Sequence, residues 1–230
     1  MQNITIAIDG FSSTGKSTIA KQLAKKLSYV YVDTGAMYRA VTLYAMQKNY
    51  ISTQSFKRDE LLVQLDQITL SFKFNDSLGF AEMYLNGVNI EKEIRTLEVS
   101  NHVSTISAVP EVRRQLVKQQ QEMGKNKGLV MDGRDIGTVV FPQAELKLFM
   151  TASPKVRAQR RYDELINRGD VVSFEDVLHN VEARDFKDST RKDSPLIKAD
   201  DAVEIDNSNL SLEAQFDTIL KLVTKVLKNL

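Results

Sequence analysis

The chain has 230 residues, 42% of them hydrophobic and 27% charged, which is ordinary for a soluble globular protein and excludes a disordered or fibrous one. Its 31 basic and 30 acidic residues give a net charge of +1, so no overall field attracts nucleic acid or anionic lipid, and any anion site must be local. No cysteine is present, which excludes disulfides, thiolate metal ligands and a cysteine nucleophile.

A chain of this length is expected to form one folding unit with elaborations. Its first eight residues carry neither the positive charge nor the long apolar run of a secretory signal, and no later stretch is long enough to span a bilayer. Together with the lack of cysteine, these features lead us to expect a cytoplasmic protein without a membrane or nucleic-acid partner.

Strands alternate with helices over most of the chain. Residues 4–8 predict a short β-branched strand, and the glycine- and serine-rich stretch after it opens a helix with Ile19 and Leu23 on its apolar face. Further strands are predicted at 29–32, 129–131, 146–150 and 202–205, and further helices at about 37–47 and after Ser211 as N-cap. This alternation predicts an α/β fold of three layers, with a central parallel sheet covered on both faces.

The middle of the chain has a different pattern. Residues 68–74 alternate apolar and polar side chains with a period of two, and residues 83–88 are predicted to be their hairpin partner. We interpret about 61–109 as a small antiparallel subdomain inserted into the α/β core over the active cleft. A surface elaboration without a role in the site is the alternative.

The strongest chemical signal lies between the first strand and the first helix. Residues 10–17, with the sequence GFSSTGKS, fit the phosphate-binding P-loop pattern GxxxxGK[ST]. Gly10 and Gly15 can adopt backbone angles that turn successive amides toward phosphate oxygens at the positive end of the helix. Lys16 is expected to reach the β- and γ-phosphates of ATP, and the Ser17 hydroxyl to bind Mg²⁺. The alternative is a chance match in a glycine- and serine-rich turn.

A P-loop leaves the acceptor of the phosphoryl group open. A GTPase needs an NKxD element that reads guanine, but the nearest match, NKGL at residues 126–129, lacks the carboxylate. A kinase for a small phosphorylated acceptor needs a second cationic site, which arginines at separated places could supply. The candidates are Arg39, Arg113, Arg134, Arg157, Arg160, Arg161, Arg184 and Arg191.

Further segments are more specific than the P-loop. They are DTGAMYR at 33–39, EIRT at 93–96, DGRDIGTVVFP at 132–142, and Arg184 and Asp185 followed by Asp188 and Arg191. Over nearly its whole length the chain thereby resembles the bacterial cytidylate kinases, a family of nucleoside monophosphate kinases. The resemblance implies a single P-loop kinase domain, 1–230, that uses Mg²⁺ and transfers the γ-phosphoryl group of ATP to CMP or dCMP. Two features depart from the pattern, since Phe11 stands where family members commonly have proline, and no glycine lies between residues 11 and 14.

The resemblance also implies a role for each matching position. The ATP-binding set is Gly10, Phe11, Ser12, Ser13, Thr14, Gly15, Lys16, Ser17 and Thr18. The acceptor phosphate would be held by Thr34, Arg39, Arg134 and Arg191, cytosine would be read by Ser104, Arg113 and Asp135, and the sugar would contact Arg184 and Asp188. Residues of about 61–109 would form the subdomain that binds the monophosphate, and about 155–172 a helical lid.

These residue types suit the roles that the resemblance implies. Guanidinium groups stay charged and bind phosphate through two parallel hydrogen bonds, whereas lysine offers a point charge. Cytosine presents an amino group where uracil presents a carbonyl, so the Asp135 carboxylate would accept from cytosine and repel uracil. Arg113 would donate to the ring carbonyl or ring nitrogen, and we expect the loss of Asp135 to cost more than the loss of Ser104.

Asp132 and Asp135 each allow a second interpretation. Asp132 ends an apolar strand, as does the aspartate that orients Mg²⁺ in other P-loop proteins, here through a water molecule. Either carboxylate could instead form a buried ion pair with Arg134 or Arg184 that tethers two elements.

Three arginines fall on one predicted helix, which begins at an N-cap serine followed by proline. The i, i+3, i+4 spacing of Arg157, Arg160 and Arg161 places them on one face, and we interpret them as lid arginines. A solvated basic face that pairs with Asp163 and Glu164 is the alternative.

The predicted chemistry needs no side-chain base. The attacking phosphate oxygen of CMP is already anionic near neutral pH, and phosphoryl transfer depends chiefly on alignment and charge. Lys16, Mg²⁺, the three lid arginines and Arg191 would therefore act electrostatically once the insert and the lid close and exclude water.

Two other functions stay open on the sequence. One is a P-loop kinase for another small acceptor, such as shikimate or thymidylate, against which the long insert and the motif at 132–135 argue. The other is a nucleotide-binding module without turnover. A lid that opens and closes favours a monomer. His102 and His179 are expected to be structural or solvated, because neither lies in a phosphate-binding segment.

Overall fold

The computed structural model describes residues 3–77 and 79–230, so Met1 and Gln2 of the N-terminal segment and Leu78 of the predicted insert lie outside the described residues. The chain forms two compact units. We call residues 3–31 together with Gly124–Leu230 the core unit, and Val32–Met123 the middle unit. The bounds expected above for a single domain, an insert and a lid stay predictions.

Strands and helices alternate through most of the described residues. In chain order they are β1 (Thr5–Gly10), α1 (Lys16–Leu27), β2 (Val30–Asp33), α2 (Thr34–Gln47), α3 (Arg58–Gln64), β3 (Leu70–Asn75), β4 (Phe80–Leu85), β5 (Val88–Asn89), α4 (Leu97–Ser107), α5 (Pro110–Met123), β6 (Leu129–Gly133), β7 (Leu146–Thr151), α6 (Pro154–Asn167), α7 (Phe174–Thr190), β8 (Val203–Asp206) and α8 (Leu212–Lys228). Single turns of 3₁₀-helix lie at Leu65–Gln67 and Glu93–Arg95, and a π-helical turn lies at Ile136–Val140. None of the helices in the described part of the chain is long and apolar enough to cross a membrane.

A five-stranded sheet with the order β2-β6-β1-β7-β8 confirms the predicted α/β core. β1 pairs in parallel with β6 and with β7, and β7 pairs in parallel with β8. In this register Ile8 lies between Asp132 and Leu148. Because the carboxyl ends of parallel strands meet at one edge, the P-loop after β1 and the segment after β6 share that edge of the sheet.

One face of the sheet packs against α1 and α8. Its buried cluster includes Ile4, Ile6, Ile8, Ile19, Leu23, Val130, Leu148, Ile219 and Val223. Each such side chain gains about 1.5–3 kcal/mol when it is removed from water, so this cluster fixes the strand from which the P-loop emerges.

Two helix starts predicted from the sequence are confirmed. The Ser153 side chain accepts a hydrogen bond from the Val156 amide at the start of α6, with Pro154 in the first turn. Ser211 accepts from the Ala214 amide at the start of α8 in the same way. Both serines satisfy an amide that the helix itself leaves without a partner.

The middle unit contains a three-stranded antiparallel sheet with the order β3-β4-β5, and it corrects one predicted strand. Residues 83–88 are not one strand, because β4 ends at Leu85 and Val88 begins β5. Asn86 and Gly87 form the turn between them with φ angles of 49° and 85°. An Asn-Gly pair favours a two-residue hairpin turn in this left-handed conformation, and this signal was present in the sequence.

Asp33 and Arg95 form an ion pair within the middle unit. The Asp33 carboxylate caps α2 by accepting from the Ala36 amide at 2.9 Å, and Arg95 donates to it at 2.9 Å and to Glu91 at 2.7 Å. Burial alone would raise the pKa of Asp33, but Arg95 and Arg39 outweigh burial and hold this pKa at about 2. The EIRT segment therefore has a structural partner at the start of α2.

We expect Asp33→Asn to lower the free energy of unfolding by about 2 kcal/mol at pH 7, because the charged form of Asp33 is stabilised in the folded state. A depressed carboxyl pKa stabilises above the unfolded value of 3.8 and loses this contribution as the pH falls toward about 2. Urea unfolding at several pH values tests this, and most of the difference between wild type and variant should be lost by about pH 2. A difference that stays constant with pH would contradict it.

Candidate active site

The P-loop after β1 has the backbone conformation that a phosphate nest requires. Gly10 has a φ of 144°, and a Cβ there would lie 2.0 Å from the Met150 carbonyl oxygen, so no other residue fits. Gly15 has a φ of 85° and precedes α1 directly. Ser13 also adopts the left-handed region, with a φ of 57°, which the sequence analysis did not foresee. The loop thus turns at a serine in a backbone region that favours glycine.

Lys16 lies buried beneath this loop. Its Nζ atom donates to the Phe11 carbonyl oxygen at 2.5 Å and to Thr14 Oγ1 at 3.3 Å. Burial, and then the nearby positive charge of Arg134, lower the pKa of Lys16 to about 7. Because burial disfavours the charged form of Lys16, a bound anion would restore its charge, so this lysine is suited to an anion site.

Ser17 and Asp132 make a set of oxygen atoms that fits Mg²⁺. The Ser17 hydroxyl donates to Asp132 at 3.0 Å, and the Tyr31 hydroxyl donates to the other oxygen of Asp132 at 2.8 Å. The buried Ser12 Oγ, on the same loop, has no hydrogen-bond partner within the part of the chain that the structure describes. Mg²⁺ takes few protein ligands and keeps several waters, so a hydroxyl beside a carboxylate agrees with its chemistry. No group of three or more acidic or histidine side chains that could hold a metal occurs among residues 3–77 and 79–230.

Asp9, the residue before the P-loop glycine, was missed by the sequence analysis. Its two carboxylate oxygens each accept a hydrogen bond of 2.7 Å, one from the Ile136 amide and one from the Gly137 amide. Burial raises the pKa of Asp9 to about 7. The contact fixes the π-helical turn that follows Asp135, and the signal for it was a lone carboxylate on a buried strand.

Four predicted acceptor residues come together in the core unit. Arg134 Nε donates to Asp188 at 2.9 Å. Burial would raise the pKa of Asp188, but Arg134, Arg184 and Arg191 outweigh it and lower this pKa. Burial, and then the charge of Arg134, lower the pKa of Arg184 to about 10. The positive charge of Arg134 also lowers the pKa of Lys16, so this guanidinium cluster and the P-loop lysine lie within electrostatic range of each other.

The other predicted acceptor residues lie in the middle unit. Thr34 is the buried first residue of α2, and Arg39 lies on the same helix. Arg113 is buried on α5, where its Nη1 donates to the Ser107 carbonyl oxygen at 3.1 Å and its guanidinium lies 5.5 Å from the Tyr38 ring centre. Ser104 lies one turn before Ser107 on α4, so Arg113 is held beside the same turn of helix. Ser104 and Arg113, the predicted readers of cytosine, are thus neighbours in the structure.

The three arginines of α6, which the spacing predicted to share one face, have different surroundings. Arg157 is 2% exposed and pairs with Asp185. Arg160 donates to the side chain and the carbonyl oxygen of Asn207 at 3.0 and 2.9 Å. Arg161 pairs with Glu164 at 2.8 Å, and its side chain is only 12% exposed.

Asn207, directly after β8, is a further residue of the loop that the sequence did not reveal. Its Nδ2 donates to the Thr14 carbonyl oxygen at 2.5 Å while its Oδ1 accepts from Arg160. This side chain therefore connects α6 to the P-loop, although Asn207 and Thr14 are 193 residues apart in sequence.

The core unit combines a parallel sheet, a phosphate-binding loop with a buried lysine after its first strand, and a guanidinium cluster. This combination is that of a P-loop kinase. The family model described as cytidylate kinase matches residues 6–225 of the chain. The chain is 66% identical over 228 residues to the cytidylate kinase of Flavobacterium johnsoniae, which covers 99% of both chains. It is 63% identical to that of Flavobacterium psychrophilum, over 98% of this chain and 100% of the relative, and 55% identical to that of Bacteroides fragilis, over 99% and 100%. The chain belongs to the cytidylate kinase family.

Proposed function

We propose that this protein transfers the γ-phosphoryl group of ATP to CMP or dCMP, giving ADP and CDP or dCDP. The observation that carries the proposal is the arrangement inside the core unit. Buried Lys16 of the P-loop lies within electrostatic range of Arg134, which itself belongs to the cluster with Arg184 and Arg191 around Asp188. Two neighbouring cationic groups suit a reaction between two phosphates.

The ATP end of the site is the P-loop. Its inward amides and Lys16 would bind the phosphates, and Ser17 with Asp132 would hold Mg²⁺, Asp132 through a water molecule. Bound Mg²⁺ would supply positive charge to the phosphate oxygens. The buried hydroxyl of Ser12 provides a further polar group on the loop.

The acceptor end uses arginines for the phosphate of CMP. Arg134 and Arg191 in the core unit, with Thr34 and Arg39 in the middle unit, would bind it, since guanidinium groups match phosphate geometry. Arg184 and Asp188 would contact the sugar. Asp135, Ser104 and Arg113 would read cytosine, and the burial of all three side chains makes an unmatched polar group on a wrong base costly.

The reaction would proceed without a general base. The CMP phosphate is an anionic nucleophile already, so the residues need only align it with ATP and offset charge in the transition state. Lys16, Arg191, Arg160 and Arg161 would contribute this positive charge. Closure around both nucleotides would exclude water as a competing acceptor.

A coupled assay of ADP release with CMP, dCMP, UMP and AMP as acceptors tests the proposal. We expect CMP or dCMP to be the best acceptor, with equal amounts of ADP and the diphosphate formed. AMP or shikimate as the best acceptor would contradict the cytosine assignments, and tight ATP binding without any acceptor-stimulated ADP release would favour the nucleotide-binding module. The expected cytoplasmic location and monomeric state stay predictions.

A further inference from the structure

The side chain of Arg157 is fully engaged by the protein. Its Nε donates to the Ala152 carbonyl oxygen at 2.8 Å, and Nη1 and Nη2 donate to the two carboxylate oxygens of Asp185 at 2.9 and 2.5 Å. Nη1 also donates to the Ser12 carbonyl oxygen at 3.4 Å. A guanidinium group has five N–H donors, so these four hydrogen bonds leave little for a phosphate.

The same guanidinium lies over the first side chain of the P-loop. Its central carbon is 5.1 Å from the centre of the Phe11 ring, which suits a cation–π contact, and the Phe149 ring meets Phe11 edge to face at 6.1 Å. Lys16 binds the Phe11 carbonyl oxygen. Phe11 and Ser12 are therefore held through a ring and two carbonyl oxygens, and a proline at position 11 would remove the aromatic contact.

This loop needs external support because its own sequence does not favour its shape. No glycine lies between residues 11 and 14, and Ser13 has a φ of 57°. Non-glycine residues keep such angles only where the surrounding structure imposes them. Buried Arg157, fixed by two parallel hydrogen bonds to Asp185, is a rigid group that can do so.

We propose that Arg157 is a positioning residue that holds Phe11 and Ser12 in the phosphate-binding conformation of the P-loop, and that Asp185 on α7 fixes Arg157 in place. This assignment differs from the expected lid role, in which Arg157 would act on the transferring phosphoryl group. It rests on the proposed function only in that the P-loop binds ATP.

The test compares Arg157→Lys, Asp185→Asn and the double variant. ATP binding is measured by calorimetry in the absence of CMP, together with kcat and the KM values for both substrates. We expect each single variant to raise the ATP Kd and KM about tenfold, with kcat changed by less than about threefold and the KM for CMP less affected. The ATP Kd of the double variant should be no higher than that of the single variant with the higher Kd, because both changes remove the same contact between Arg157 and Asp185.

Arg58 and Glu111 provide a matched control, since they form a 2.8 Å ion pair in the middle unit with both side chains partly exposed. Arg58→Lys and Glu111→Gln should leave ATP binding unchanged. If the Arg157 and Asp185 variants fail to fold, Phe11→Leu decides the question, because it removes only the ring; we expect a rise of about threefold in the ATP Kd, and an unchanged value overturns the proposal.

Three results overturn the proposal. The first is a large loss of kcat in Arg157→Lys with unchanged ATP binding, which would place Arg157 on the phosphoryl group. The second is weaker ATP binding in Arg157→Lys but not in Asp185→Asn, which would indicate a direct contact with ATP. The third is additivity in the double variant. A wild-type protein that binds ATP but does not phosphorylate CMP would contradict the proposed function alone, and the binding comparison would still decide the role of Arg157.

Discussion

Lys16→Ala is expected to lower kcat by about three orders of magnitude, because it removes the charge that follows the phosphoryl group between donor and acceptor. The fold should tolerate this change. Burial lowers the pKa of Lys16 to about 7, so the charged side chain is not stabilised by its surroundings in the absence of nucleotide. The two hydrogen bonds that it donates to the loop contribute about 1 kcal/mol each at most. The melting temperature should therefore change by no more than about 8 °C.

Lys147 is the matched control for Lys16. It is also a buried lysine of the core unit, but its Nζ donates to the Pro142 carbonyl oxygen at 2.6 Å and to Asp201 at 2.8 Å instead of to the P-loop. Lys147→Met should lower stability by about 1–3 kcal/mol and leave kcat of the folded protein nearly unchanged. A collapse of the fold in Lys16→Ala that matches its loss of turnover would assign Lys16 to structure and contradict its catalytic role.

Asp135→Asn is expected to lower kcat/KM for CMP by about a hundredfold or more, because the buried carboxylate is the proposed acceptor for the amino group of cytosine. The change retains the shape of the side chain but adds an amide donor, which matches the carbonyl of uracil. The ratio of kcat/KM for CMP to kcat/KM for UMP should therefore fall. Ser104→Ala should cost less, about threefold to tenfold, since a hydroxyl is a weaker partner than a carboxylate.

The ratio of the rates with CMP and UMP serves as an internal control for the specificity measurement. A variant that is partly unfolded loses activity with CMP and UMP equally, whereas a change in base reading alters their ratio. Asp217→Asn, on the exposed surface of α8, should leave both rates and their ratio as in the wild type. An unchanged ratio in Asp135→Asn would contradict the assignment of Asp135 to cytosine.

Local signals in the sequence were sufficient to predict the strands of the core sheet, the P-loop and the starts of two helices. Glycines at positions 10 and 15 are required by backbone angles, and Ser153 and Ser211 are caps, so each of these signals acts within a few residues of chain. The turn at Asn86 and Gly87 was equally local. The predicted hairpin partner of residues 68–74 was confirmed, because β4 pairs with β3, but its predicted end at 88 was wrong because the Asn-Gly signal was not used.

The partners of the site residues could not be predicted in the same way. Asp9 binds amides that lie 127 and 128 residues further along the chain, and Asn207 binds Thr14 over 193 residues. No periodicity or spacing connects such pairs, because only the order of strands in the sheet brings them together. The spacing of Arg157, Arg160 and Arg161 likewise predicted a shared face but could not reveal that Arg157 is buried against Asp185.

The most direct test of the account is a crystal structure with CMP and a non-hydrolysable ATP analogue bound together. We expect the CMP phosphate to contact Arg39, Arg134 and Arg191 and the cytosine amino group to donate to Asp135. The γ-phosphate should lie at Lys16 with the CMP phosphate next to it. CMP bound elsewhere, or with its phosphate away from these arginines, would contradict the central claim that the P-loop and the guanidinium cluster hold the two reacting phosphates.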